Sequence, residues 1–484
     1  MNPIVTNQRQ IRFGIMMIAC AVTCHTSLAQ DSALRVDRTI DQLQRQTQTQ
    51  IDTELPLSQR ALFDYGGYST YSYLSFDDAA HNNHGLNNFE MVGYARLNLD
   101  GANEFYVRGR ANYLDYNPGD EPDGQPNHLD GRVEEAWYRF DLANYETLRN
   151  GPKPAMDVDV KAGRQFAAWG IGLTLDQYVD GISAQIKSNK VDLDLLACVT
   201  IRQTIDFDTS RSDFDESTER GFYGAKLTVP VGRQNPYAYI LVEQDYNRAE
   251  PLDAHVIPTR YRYNSYYGGV GMNGPILDQF TYGAEFCFEG GRGLSNSYDP
   301  ATSAPVNQTD DPIEACALDA RIDYLPGDSR HSRVGIEGII TSGDRDRTTT
   351  SATFGGNRPH SGDHAFNALG DSYTGLAFAA SLSNLMLVRL SASTYPMPQG
   401  MFGEFQLGGD VMFFGKTETH APIDETTTNS RYLGFEPDIF VNWRLTDDVT
   451  FTGKYGLFFP GSAIPDGQPN FVRQFLYAGV TYAF

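Results

Sequence analysis

Residues Phe471–Phe484 read F-V-R-Q-F-L-Y-A-G-V-T-Y-A-F, and their alternation decides the fold. Taken in twos, Leu476, Ala478, Val480, Tyr482 and Phe484 share one face, and Arg473, Tyr477, Gly479 and Thr481 share the other. A strand with one face in lipid and one toward water needs that period. The segment ends on an aromatic with no polar tail, which as an open edge would invite aggregation. Paired with the first strand of a closed barrel, the same aromatics sit at a membrane interface.

The pattern recurs upstream. Leu86–Leu99 sets Phe89, Met91 and Leu97 against Glu90, Tyr94 and Arg96. Glu104–Tyr113, Val191–Arg202, Phe280–Glu289 and Pro437–Leu445 alternate in the same way. Tandem segments of this kind predict an all-β, transmembrane antiparallel β-barrel of about 18 strands, with about 16 as the alternative. Ile182–Lys187 and Ser372–Pro396 are the segments on which the count turns. Short connections such as Asp100–Asn103 and Thr446–Asp448 read as periplasmic turns. Long ones, among them Asn117–Asp130, Asp206–Arg220, Leu294–Pro312, Gly343–Asp371 and Lys416–Arg431, read as extracellular loops.

Composition agrees. The 484 residues include 46 Gly, 28 Tyr and 28 Phe, with a formal net charge of -23 and a mean hydropathy of -0.41. No interior run approaches the roughly 20 apolar residues of a spanning helix. The acidic balance excludes a nucleic-acid partner, which selects a basic surface. Arg9, Arg12, the apolar run Ile15–Cys24 and Ser27-Leu28-Ala29 make residues 1–29 a signal peptide. Residues 30–58, with Val36, Ile40 and Leu43 at helical spacing, read as a periplasmic helix or linker that could meet an envelope partner. The barrel then occupies 59–484, in the outer membrane and among its lipids. Cys198, Cys287 and Cys316 form no disulfide framework. No strand interior supplies the histidine that a hydrolase would need, so neither an enzyme nor a cofactor is expected. His81 and His84, and the acidic group Asp206, Asp208, Asp213, Asp215 and Glu216, read as solvated loops in preference to metal sites.

By strand parity the lumen receives Arg96, Arg108, Arg110, Arg139, Arg202, Arg321, Arg389 and Arg444, together with Asp192, Asp194, Glu285, Asp319 and Asp438. Fixed cations in a pore attract anions. These residues therefore read either as a selective passage for an anionic solute or as a salt-bridge ladder that stiffens the lumen. Arg164 breaks the pattern: Val158, Val160 and Ala162 put it on the lipid face, and a bulge at Gly163 is expected to turn it inward.

Several strings resemble the alginate-export family of outer-membrane proteins. They include G-R-Q-F-A-A-W-G-I-G-L-T-L-D-Q-Y (Gly163–Tyr178), A-R-I-D-Y-L (Ala320–Leu325) and T-G-L-A-F-A-A-S-L-S-N-L (Thr374–Leu385). A-P-I-D-E-T-T-T (Ala421–Thr428), R-Y-L-G-F-E-P-D-I-F-V-N-W (Arg431–Trp443) and the terminal strand complete the set. The resemblance implies a monomeric barrel exporting an anionic, alginate-like polysaccharide, with Arg164 in the pore wall. A general porin, or a plugged barrel whose acidic loops bind Ca²⁺ or a partner, are the alternatives.

Overall fold

The computed structural model describes residues 61–121, 127–151, 154–201, 210, 219–247, 262–294, 297–353, 356–370, 372–465 and 471–484. Residues 1–29, expected to be a signal peptide, residues 30–58, Arg202 and the acidic group at 206–216 lie outside them.

The strands are β1 (Ala61–Asp77), β2 (Asn83–Leu99), β3 (Asn103–Tyr116), β4 (Asn127–Asp141), β5 (Met156–Trp169), β6 (Leu175–Ser188), β7 (Asp192–Thr200), β8 (Arg220–Thr228) and β9 (Asn235–Asp245). There follow β10 (Tyr263–Leu277), β11 (Phe280–Leu294), β12 (Asp310–Tyr324), β13 (Arg333–Thr341), β14 (Leu385–Thr394), β15 (Phe405–Lys416), β16 (Tyr432–Arg444), β17 (Val449–Pro460) and β18 (Arg473–Ala483). A short helix, α1 (Leu142–Asn150), joins β4 to β5; Asp141 caps it by accepting the Asn144 N–H at 2.8 Å.

Together they form one 18-stranded antiparallel sheet. It closes where β1 meets β18, from Tyr68↔Ala483 to Phe76↔Phe475, and Gly67 and Phe484 exchange N–H···O bonds of 3.0 and 2.9 Å. Closure removes both sheet edges, as a lipid setting demands. The terminal strand therefore does what its period predicted, and Ile182–Lys187 counts as wall within β6. Outward positions carry exposed apolar side chains: Phe63, Tyr65, Phe89, Met91, Val270, Ile336, Val480 and Tyr482 among them.

Among the described residues, the β5–β6 hairpin and the 342–384 loop leave the wall and fold into the lumen, and Ile423 of the 417–431 loop packs in the same buried cluster. β4 pairs with β5 only from Asp141↔Asp159 to Ala136↔Arg164, and β6 with β7 only from Lys187↔Asp192 to Val179↔Thr200. Yet β5 and β6 stay paired with each other up to Trp169↔Leu175. The tip of that hairpin therefore departs from its neighbours and crosses the lumen, where the Ile171 N–H donates to Glu285 on β11 at 2.9 Å. The departure begins beside Gly163, at φ +127°, where a Cβ would sit 2.2 Å from the Ala136 carbonyl oxygen. Only glycine fits that turn.

The second segment is the 342–384 loop. It outruns the predicted Gly343–Asp371, because of Ser372–Pro396 only Leu385–Thr394 is strand. Its apolar residues pack inward. Phe366, Leu369 and Phe378, with Trp169, Leu173 and Leu175 of the hairpin, join Phe222, Leu241, Tyr267, Leu387, Phe414 and Phe458 of the wall in one buried cluster. Phe378 stacks on Phe458 with ring centroids 4.0 Å apart. Tyr373 and Ala377 also reach the second cluster, built on Leu74, Leu86, Leu376 and Phe475, so the loop bridges facing walls.

Candidate functional site

Glutamates on the wall hold both infolded segments. Glu285 accepts the Ile171 N–H and the Tyr237 and Tyr239 hydroxyls at 2.9, 2.6 and 2.8 Å. On the same strand, Glu289 accepts the Asn367 N–H at 2.8 Å and the Tyr263 hydroxyl at 2.6 Å. Glu436 on β16 accepts three successive N–H groups, those of Leu376, Ala377 and Phe378, at 2.6, 2.7 and 2.8 Å. Gly375, at φ +108°, turns the backbone into that concavity. Several donors replace the water that each carboxylate gives up on burial. Within the loop itself, burial opposes charge on Arg347, but Asp363 (2.6 Å) and Asp344 outweigh it and raise its pKa.

The predicted lumen arginines are mostly compensated. Arg96 pairs with Glu104. Arg108 meets Glu134 at 2.7 Å and Glu135 at 3.3 Å; Arg110 meets Glu134 at 2.7 Å and Glu90 at 3.7 Å. A bulge supplies the adjacent glutamates: opposite Arg108 and Gly109 the register of β4 skips Glu134, so Glu134 and Glu135 both reach the lumen side. Arg139 bonds Asp159 at 2.5 Å, and Arg389 bonds Glu337 and donates to the Tyr373 carbonyl at 3.0 Å. Arg444 lies at the short-turn rim, 3.4 Å from Asp447, and Arg321 is exposed with Asp319 as its electrostatic neighbour. Asp194 takes Lys226 at 3.1 Å, Asp438 takes the Tyr373 hydroxyl, and Asp192 begins β7 at the short-turn end.

Arg164 departs from expectation. β5 and β6 stay in register through Gly163↔Gly181 and Arg164↔Asp180, so the expected bulge is absent. Arg164 keeps the parity of Val160 and Ala162. It is stabilised by a two-pronged bond to Asp180 (2.9 and 3.0 Å) and by donation at 2.9 Å to the Val133 carbonyl, which the departing hairpin leaves without a strand partner. The irregularity read in G-R-Q-F-A-A-W-G is real, but it marks the exit of the hairpin from the wall.

Beneath the hairpin, toward the short-turn end, a cavity of about 520 Å³ is lined by Trp137, Arg139, Asp159, Lys161, Trp169 and Lys226, among others. Parity also places Lys161 and Glu436 inward, beside residues already counted. Glu436 lies one residue before the segment taken to start at Pro437, and Lys161 lies between Val160 and Ala162; extending each alternation by a residue finds both.

No protein-family model and no curated protein matches the chain. Solved structures do. Acinetobacter baumannii OccAB3 superposes with a TM-score of 0.52 at 10% identity, over 87% of this chain and 99% of that one. A doubly substituted OccD1 (OprD) superposes with a TM-score of 0.50 at 10% identity, over 87% and 95%. At such identity the likeness is one of fold. The resemblance to the alginate-export family is thereby corrected, since the neighbours are OprD/Occ barrels. The strings that carried it are wall alternation and, in Gly163–Tyr178, Thr374–Leu385 and Ala421–Thr428, segments that pack within the barrel or its loops; such patterns arise in any barrel with one apolar and one filled face. A closed wall of 18 strands, apolar outside and filled or charged within, is the architecture of an integral outer-membrane barrel.

Proposed function

We propose that the protein is an outer-membrane channel for small polar solutes. The observation that carries this reading is the narrowed lumen: two infolded segments, each held by buried wall glutamates, above a cavity lined by charged side chains. A bore of that kind admits small molecules and excludes folded or branched polymers. The likeness in fold to OccAB3 and OccD1 supports it. Conductance in planar bilayers, with liposome swelling in small sugars and in dextran, tests it. Ion current and sugar entry with dextran excluded are expected, and a silent protein would sink the reading.

A second reading is a closed barrel. It is favoured by the dry packing of Phe378 between Phe414 and Phe458, and by a loop that reaches both walls. The same recordings separate the two.

A further inference from the structure

At the long-loop rim, two connections are tied together through one imidazole. The string H-N-N-H-G reads as a solvated loop, yet its His84, near the start of β2, is only 8% exposed. Its Nε2 lies 3.1 Å from Asp78 Oδ2 in the β1–β2 turn, and its Nδ1 meets the carbonyl oxygen of Asp120 in the β3–β4 connection. An ionised carboxylate and a carbonyl oxygen can only accept. A neutral imidazole donates from one nitrogen, so the arrangement takes the imidazolium, which donates from both. Burial opposes charge on the ring, but Asp78 and Asp120 outweigh it and raise its pKa. Burial likewise opposes charge on Asp78, and bonds from His84 and Asn82 outweigh it, holding that carboxyl below its usual range. Asp78 from the turn and Asp120 from the connection are the charged groups facing the ring, and Phe76 of β1 stacks on it with centroids 5.1 Å apart. Around this ring the β3–β4 backbone docks on β2: the Gly85 N–H donates to the Asp120 carboxylate at 2.9 Å, and the Asn117 N–H donates to the Gly85 carbonyl at 2.8 Å. Phe76 and Tyr116 pack in turn against the cluster that holds Leu376 of the infolded loop. The tie therefore stands on the rim of the lumen filling.

We propose that His84 is a pH-operated latch: as imidazolium it docks residues 117–120 onto the β1–β2 turn, and as neutral imidazole it releases them. The neutral ring turns a lone pair toward one of its two oxygens and keeps a single bond. Docking is complete below the ring's ordinary value of about 6.5, and it is lost as pH rises through the higher value held in the docked state. The latch is independent of what passes through the lumen.

The test is amide exchange read by mass spectrometry on the full-length barrel in detergent, at about pH 5.5 and about pH 8.5, with rates corrected for their intrinsic dependence on pH. Protection of peptides covering residues 117–121 is expected to fall about tenfold between the two in the wild type, the loss of one charged hydrogen bond. His84→Gln, uncharged throughout, is expected to show the low protection at both. Asp78→Asn is expected to move the midpoint to lower pH. His331→Gln, in a short-turn connection, leaves the wild-type response unchanged. Equal protection at the two pH values, a response that survives His84→Gln, or one abolished equally by His331→Gln would each overturn the latch. Should His84→Gln not assemble, exchange of the ring C2 hydrogen gives the titration of His84 itself in the wild type and in Asp78→Asn. A midpoint above about 6.5 that falls in the variant is expected, and a wild-type midpoint at or below that value ends the proposal.

Discussion

Toward the long loops, the inward residues of β8, β14, β15 and β17 are Phe222, Leu387, Phe414 and Phe458; a few positions down the same strands they are Lys226, Arg389, Asp410 and Lys454. The outward residues of those strands change far less, because lipid faces them throughout. What differs is the filling. Where the hairpin and the 342–384 loop fold in, the wall turns apolar to meet them; where they stop, it turns charged to meet water. A lumen face thus records its occupant, as a protein core does.

Removing the anchors should break this division most severely. Glu436→Leu strands the Leu376, Ala377 and Phe378 N–H groups in a dry site, at about 1–3 kcal/mol each. A loss of about 5 kcal/mol in urea unfolding and a larger single-channel conductance are expected; unchanged conductance would separate the anchor from the bore. Phe378→Ala empties the centre of the apolar half and should lose about 4 kcal/mol by the same measurement, with the charged half and its ion selectivity unaltered. Gly163→Ala places a Cβ against the Ala136 carbonyl at positive φ, for about 2 kcal/mol. Its distinctive readout is faster amide exchange in residues 165–179 than elsewhere in the wall. Arg164→Ala should lose only about 1 kcal/mol, since its ion pair is part-exposed. An equally small loss in Asp180→Ala, with no change in conductance, would place the pair outside the solute path.

The wall was legible in the sequence because lipid enforces a strict period of two. Ile439 and Val441 against Asp438 and Asn442, or Leu476 and Val480 against Arg473 and Tyr477, admit one reading only. The filling was not legible by that rule. Thr374–Leu385 is small or apolar at nearly every position, which suits a buried loop as well as a strand, and length alone does not separate them. Facing charges were found by parity, but their partners came from other strands. Arg110 and Glu134 meet through a bulge that no local pattern announces, and Ile171 finds Glu285 across the barrel.

That last contact spans 114 residues, and those from Leu376–Phe378 to Glu436 span about 60. A partly built wall would offer Glu285, Glu289 and Glu436 only water, and the infolded segments would have no surface to settle on. Filling therefore has to await closure, when β18 reaches β1 and the lumen becomes a confined space. Assembly then ends on a drying step: water leaves the loop-side half as the N–H groups reach their carboxylates. Long-range contacts form slowly, and the closure that joins Thr70 to Thr481 spans 411 residues, so the drying step follows the longest-range pairing of the chain and completes the working form of the inserted barrel.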